Sequence, residues 1–222
     1  MAFDAVLFDL DGTLLNTLED LTDSANFAMD AMGYPRHTLA EIRSYINNGA
    51  RRLILGASPE GTPAAEIDRC LQIFQTHYKG NLDNKTRPYP GILDALARLK
   101  ALGVLSAVVS NKFDGAVKPL CAKYFGDLVC AAIGEDEAHG VRRKPAPDSV
   151  FAAMRALGAK NALYVGDTSV DIETAKNAFL PCLAVSWGFR PRESLVEAGA
   201  LHIVDRVEDL VPAIVELGRQ YV

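Results

Sequence analysis

The sequence predicts an α/β protein: a doubly wound parallel sheet with a small bundle of helices inserted near its start. Short apolar runs rich in Val, Ile and Leu recur beyond residue 104, each followed by a stretch of helical periodicity. Strands that are apolar throughout are buried on both faces, and strand–helix alternation builds a parallel sheet covered on both sides. A similar apolar run opens the chain, but only helical patterns occupy the long interval before the next one.

Phe3 to Phe8 is apolar, aromatic and β-branched, a strand that ends in Asp9; Asp11 follows two places on, and Gly12-Thr13 turn the chain. From there Leu14, Leu18, Leu21, Ala25, Met29 and Met32 recur at three- and four-residue steps, the stripe of a helix closed by Gly33 and Pro35. Thr38 and Glu41 have capping-box spacing for a short helix through Ile42 and Ile46. Asn47-Asn48-Gly49 breaks it, another helix starts at Ala50, and Thr62-Pro63 caps one striped by Ile67, Leu71, Phe74 and Tyr78. Residues 16–88 thus read as a helical bundle without a strand, set into a core of residues 1–15 and 89–222. After Arg87-Pro88-Tyr89-Pro90-Gly91 come a helix from Ile92, a strand at 104–109, a helix at 114–124 and a strand at 128–133. The order continues with a helix at 148–157, a strand at 162–165, a helix at 170–177, a strand at 182–185, a helix near 192–198, a short strand at 202–204 and a last helix.

A net charge of −5 without any basic run argues against a nucleic-acid partner. No apolar stretch is long enough for a bilayer and no leader pattern is present, so a cytoplasmic location is expected. Cys70, Cys121, Cys130 and Cys182 stand singly in apolar surroundings and read as small buried hydrophobes. The four His residues are dispersed and suggest no ligand set.

In open parallel sheets, ligands bind beyond the carboxyl ends of the strands, so the chemistry is sought there. Asp9 and Asp11 leave the first strand on the same side. Two carboxylates a few ångströms apart repel by about 4 kcal/mol at an effective dielectric near 20, which calls for a cation or a proton. The strand at 104–109 ends in Ser110-Asn111, a hydroxyl and an amide. That at 162–165 ends in Gly166-Asp167, where the glycine permits close approach, and Asp171 lies four residues on at a helix start. Between them Lys144 precedes Pro145, which biases its backbone to an extended form. Each segment has an ordinary reading as a turn, a cap or a solvated loop. Together they describe an oxygen-rich pocket suited to Mg²⁺ and a phosphoryl group.

Asp9-Leu10-Asp11-Gly12-Thr13, Ser110-Asn111, Lys144-Pro145 and Gly166-Asp167 through Asp171 resemble, in order, the four motifs of the haloacid dehalogenase superfamily, across almost the whole chain. The resemblance implies a Rossmann-like core with a small α-helical (C1-type) cap. Within the superfamily, residues 11–17 and 143–148 are most similar to the phosphoglycolate phosphatase subgroup, with Asn16 where many members carry aspartate.

The resemblance further implies a Mg²⁺-dependent phosphomonoesterase with 2-phosphoglycolate as its first-choice substrate. Asp9 would be the nucleophile, forming an aspartyl-phosphate, and Asp11 the acid and then base, its carboxyl kept protonated by neighbouring carboxylates. Mg²⁺ would bind Asp9, the Asp11 backbone carbonyl and Asp167, with Asp171 behind them; Ser110, Asn111 and Lys144 would hold phosphate oxygens. The cap would exclude water, with Arg52 as a candidate substrate contact. Trp187-Gly188-Phe189-Arg190 reads as a packed loop that could line the mouth. Two relatives of this chemistry share the motifs, a β-phosphoglucomutase-like phosphotransferase and a pyrophosphatase. A non-enzymatic receiver module combines similar residues but lacks the insertion. The expected assembly is a monomer or homodimer.

Overall fold

The computed structural model describes residues 3–46 and 49–220. Asn47 and Asn48 of the expected helix break lie outside the described residues. Among the described residues six parallel strands form one sheet: β1 (Ala5–Phe8), β4 (Leu105–Phe113), β5 (Ala131–Glu135), β6 (Ala162–Gly166), β7 (Cys182–Val185) and β8 (His202–Val204). Their order is β5-β4-β1-β6-β7-β8. The chain winds outward from β1 to β5 and then crosses back to place β6 on the other side of β1. The order therefore reverses beside β1, the place where open sheets of this kind bind ligands, beyond the strands' carboxyl ends.

β1 pairs with β4 and β6, and all four of its residues are buried. That is why its sequence is apolar throughout rather than alternating. Ala5, Leu7, Ala107, Val109, Ala162 and Tyr164 pack with Val150, Ala153 and Ala175 on one face of the sheet. These last residues come from helices α7 (Asp148–Leu157) and α8 (Ser169–Asn177). Helices α5 (Ile92–Ala101), α6 (Asp114–Phe125), α9 (Arg192–Glu197) and α10 (Leu210–Gln220) complete the alternation. The doubly wound α/β reading holds.

The chain divides into two compact units, Met1–Leu15 with Pro88–Val222, and Asn16–Arg87. The second contains α1 (Leu18–Met32), α2 (Leu39–Tyr45), α3 (Ala50–Ala57) and α4 (Ala64–Asn81). Its core joins Ala25, Met29, Ile42, Ile67 and Phe74, from the stripes read from the sequence, with Ile54 of α3. The capping box at Thr38 and Glu41 is present. Asn16 Oδ1 accepts the Leu18 amide at 3.3 Å, so this residue supports the start of α1. Asp20, buried, accepts from the Lys85 and Thr86 amides and from the Thr86 hydroxyl at 2.8–3.0 Å.

Several expectations are corrected. Residues 16–88 are not strand-free: Leu15–Asn16 (β2) and Arg87–Pro88 (β3) form a two-stranded sheet where the chain leaves and re-enters the first unit. Helical periodicity at Leu14 misled because a buried turn and a helix stripe both demand leucine. β4 runs past Ser110 to Phe113, with a register shift against β5 after Val109. Pro63 is itself the cap of α4, and the Thr62 hydroxyl turns back to the Pro59 carbonyl. Cys70 and Cys121 are buried, but Cys130 is exposed and Cys182 is half-buried. Among the described residues no helix is long and apolar enough to cross a membrane.

Candidate active site

Asp9 follows β1 directly, and its amide bonds to the Val165 carbonyl at 2.8 Å. That bond fixes Asp9 between β1 and β6, at the carboxyl end of the sheet. The Asp9 carboxylate is buried, and its Oδ1 receives the Lys144 ammonium at 2.7 Å. Lys144 is 4% exposed and also donates to Asp171 Oδ1 at 2.8 Å, to the Tyr164 hydroxyl at 3.1 Å and to the Val109 carbonyl at 3.3 Å. A buried ammonium is tolerated only with such a set of acceptors. Burial works against its charge, yet Asp171 and Asp9 overcome that and hold the Lys144 pKa well above the ordinary lysine value.

Lys144 is held by its backbone as well. Its amide donates to Asn111 Oδ1 at 2.6 Å, and its carbonyl accepts from Asn111 Nδ2 at 3.2 Å. The Asn111 side chain thus joins the end of β4 to the loop before α7. Ser110 is buried beside it, its hydroxyl accepting the Lys112 amide at 3.2 Å.

Asp167 stands just beyond β6 and is fully buried. Its Oδ1 accepts from the Thr13 hydroxyl at 3.1 Å and its Oδ2 from the Phe189 amide at 2.6 Å. The carboxylate is cradled by glycines, for a Cβ on Gly12 or on Gly188 would collide with it. Gly12, at φ +93°, also needs a backbone conformation that other residues adopt only under strain. Trp187 donates its indole N–H to the Thr13 carbonyl at 3.1 Å, so the 187–190 loop is packed onto the first turn.

Asp171 serves two purposes. Its Oδ2 accepts from the Thr168 amide and hydroxyl at 3.0 and 2.7 Å, a cap on α8. Its Oδ1 accepts from Lys144 and from the Tyr164 hydroxyl at 3.1 Å. A Cβ on Gly166 would strike this side chain, which is the close approach the glycine permits.

One oxygen each of Asp9, Asp167 and Asp171 lies within 4.8 Å of the others. Burial, then Asp171 and Asp9, push the Asp167 carboxyl well above the carboxylate range. Burial likewise raises Asp9 to about 7, against the pull of Lys144 and with Asp171 and Asp11 adding to the rise. Lys144 bonds to Asp9 and Asp171, while both bonds to Asp167 come from neutral donors. A crowded, buried, all-oxygen site of this kind fits a small hard cation such as Mg²⁺.

Asp11 does not belong to that oxygen cluster. Its Oδ1 faces the Lys112 ammonium at 3.0 Å. A cation thus stands beside Asp11 in addition to the Asp9 carboxyl, whose rise Asp11 shares in causing. Arg52 lies exposed on α3, in the other compact unit, and its neighbour Arg51 pairs with Asp68 at 2.9 Å. Sequence reasoning passed over Lys112 and Tyr164, and it read Phe189 as part of a packed loop without its amide bond to Asp167. An apolar strand context was the only signal at Tyr164, and that context equally describes an ordinary core tyrosine.

This geometry can be compared with known proteins. A family model described as haloacid dehalogenase-like hydrolase matches residues 6–185. The chain belongs to this family. Among haloacid dehalogenase-like hydrolases it is 36% identical, over 84% of each chain, to a phosphoglycolate phosphatase of Mesorhizobium japonicum. It is 32% identical to the phosphoglycolate phosphatase of Agrobacterium fabrum, over 95% of this chain and 91% of the relative. A crystal structure from Lactobacillus delbrueckii subsp. bulgaricus superposes with a TM-score of 0.91 at 35% identity, covering 96% of this chain and 99% of that one. Membership in a hydrolase family sets aside the receiver-module reading.

Proposed function

We propose that this hydrolase is a Mg²⁺-dependent phosphatase that cleaves a small phosphate monoester, 2-phosphoglycolate first, through a phosphorylated Asp9. The observation that carries the reading is the buried Asp9 carboxylate, bonded at one oxygen to Lys144 and set beside Asp167 and Asp171. The names of the relatives supply the substrate.

In this reading Lys144 occupies Asp9 Oδ1 and leaves Oδ2 to attack phosphorus, splitting a difficult displacement into two steps. Asp9, Asp167 and the Asp11 carbonyl would hold Mg²⁺; Asp171, its oxygens committed to Lys144, Tyr164 and Thr168, orients the lysine from behind. Bound Mg²⁺ would neutralise charge on phosphate oxygens and on the crowded carboxylates. Ser110, the Asn111 amide and the Lys144 ammonium receive the remaining phosphate charge, and a single donor of this kind contributes about 3–4 kcal/mol to the transition state. Asp11 protonates the leaving oxygen, then takes a proton from the water that releases phosphate. The helical unit carries substrate selection, with Arg52 as its candidate contact. A cytoplasmic setting belongs to the same proposal.

The test is a panel of phosphate compounds assayed with Mg²⁺: 2-phosphoglycolate, other alkyl phosphates, pyrophosphate, and a hexose monophosphate with and without its bisphosphate. Phosphate release fastest from 2-phosphoglycolate is expected. Isomerisation dependent on a bisphosphate, without net phosphate release, would make the protein a phosphotransferase. Preference for pyrophosphate would replace the ester reading.

A further inference from the structure

Lys112 has no part in the chemistry just proposed, yet it is one of the two lysines buried at this end of the sheet. It sits near the carboxyl end of β4, after the register shift, and its residue is 9% exposed. Its ammonium lies 3.0 Å from Asp11 Oδ1. That oxygen is itself buried and has no hydrogen-bond partner among the described residues. The contact with the Lys112 ammonium thus bears on the rotamer of Asp11.

Withdrawing an ammonium from water costs several kcal/mol, and replacing a buried ion pair by apolar groups is often neutral or stabilising. Stability alone is therefore a poor reason for Lys112. What a buried ion pair fixes well is orientation. The Asp11 backbone is already held: Gly12 donates to the Leu15 carbonyl at 2.9 Å, and Asp11 itself bridges to Leu15. The freedom that remains is side-chain rotation, and Lys112 acts on that freedom.

We infer that Lys112 is a positioning residue for Asp11: it pins Oδ1 against the end of β4 and so commits Oδ2 to proton transfer at the ester oxygen. The inference rests on the acid–base role proposed for Asp11. When Asp9 attacks, the bonding pair of the breaking P–O bond passes to the ester oxygen, and the proton on Asp11 Oδ2 goes to that oxygen. In the second step a water proton returns to Oδ2 as the water oxygen bonds to phosphorus and the Asp9–phosphorus bond breaks. Neither step changes the protonation of Lys112.

The experiment compares Lys112→Met, Lys112→Arg, Asp11→Asn and the Lys112→Met/Asp11→Asn double variant. Turnover is measured on the alkyl phosphate that the wild type cleaves best, and rapid quench follows p-nitrophenol release from p-nitrophenyl phosphate. Lys112→Met should lower alkyl-ester kcat roughly 10²-fold, the scale of a misplaced reacting group. KM and the p-nitrophenol burst rate, which need no acid, should be unchanged. Lys112→Arg should restore part of the loss. In the Asp11→Asn background Lys112→Met should add nothing, as expected of residues acting as one unit. An equal fall in the burst rate, a change confined to KM, or additive losses would overturn the inference.

A second readout needs no substrate. In a high-resolution crystal structure of the unliganded Lys112→Met variant, the Asp11 side chain should occupy more than one rotamer. A single wild-type rotamer there would overturn the role of Lys112, whereas a wild type that cleaves no phosphate compound would overturn the phosphatase reading alone.

Discussion

Asp9 illustrates how one side chain can be legible by type and obscure by environment. Its place at the end of an apolar strand is readable, because a buried strand that stops in a carboxylate needs a reason. That its partner is an ammonium from residue 144 depends on a contact between positions far apart in the chain. Asp9→Asn keeps the shape and an acceptor for Lys144 but removes the attacking charge. Turnover should fall by roughly 10⁵-fold or more, as for other covalent nucleophiles, with the circular dichroism spectrum unchanged. Retained activity would remove Asp9 as nucleophile. Lys112 was hidden for the opposite reason. A lysine after Ser-Asn at a strand end reads as solvated, and only the register shift in β4 accompanies its burial.

At the scale of elements, caps decide more than stripes. α8 ends in a Schellman arrangement, with Leu180 N–H bonded to the Ala175 carbonyl and Phe179 N–H to that of Lys176. The left-handed position is filled by Phe179, at φ +58° and 92% exposed, where glycine is usual. A bulky residue there costs about 1–2 kcal/mol in backbone energy, and its exposed ring gains little from burial. Phe179→Gly should stabilise the protein by about 1 kcal/mol, and raise Tm by about 2–4 °C for a chain of this size. A lower Tm would show that the ring contributes more than the strain costs.

In the helical unit, Asp20 gathers the amides of Lys85 and Thr86 and one hydroxyl. Asp20→Ala strands buried donors and should cost about 3 kcal/mol, read as a lower Tm. Asp20→Asn, which retains one acceptor oxygen, should cost less. Equal stability of all three forms would discard the account. Nothing local in the sequence singles out Asp20, because its partners lie more than sixty residues on.

For the whole molecule, the site's buried acidity sets a pH dependence. Burial raises Asp9 from 3.8 to about 7, with Lys144 opposing and Asp171 adding, and burial also raises Asp167 well above the usual carboxylate range. The folded, metal-free protein therefore binds more protons than the unfolded chain across that window. The contribution of these groups is fully present below 3.8 and is lost as pH rises through about 7. Mg²⁺ binds the charged carboxylates, so the rise in Tm on adding it should be larger above about 7 than below it. A Tm shift independent of pH, or none at all, would argue against Mg²⁺ at Asp9 and Asp167.

By itself the sequence determined the alternation of strands and helices, the helical character of most of residues 16–88, and the acidic, hydroxyl, amide and lysine groups at the strand ends. These follow from local physics: hydrophobic period, turn chemistry and capping act over a few residues and leave their pattern in the order of side chains. The two-residue strands at 15–16 and 87–88, the pairing of Lys112 with Asp11, and the service of Lys144 by Tyr164 and Asn111 were decided only by tertiary structure. Each depends on which way a side chain turns once distant strands are in register. Burial and the partner across the sheet set that, and a linear sequence does not record it.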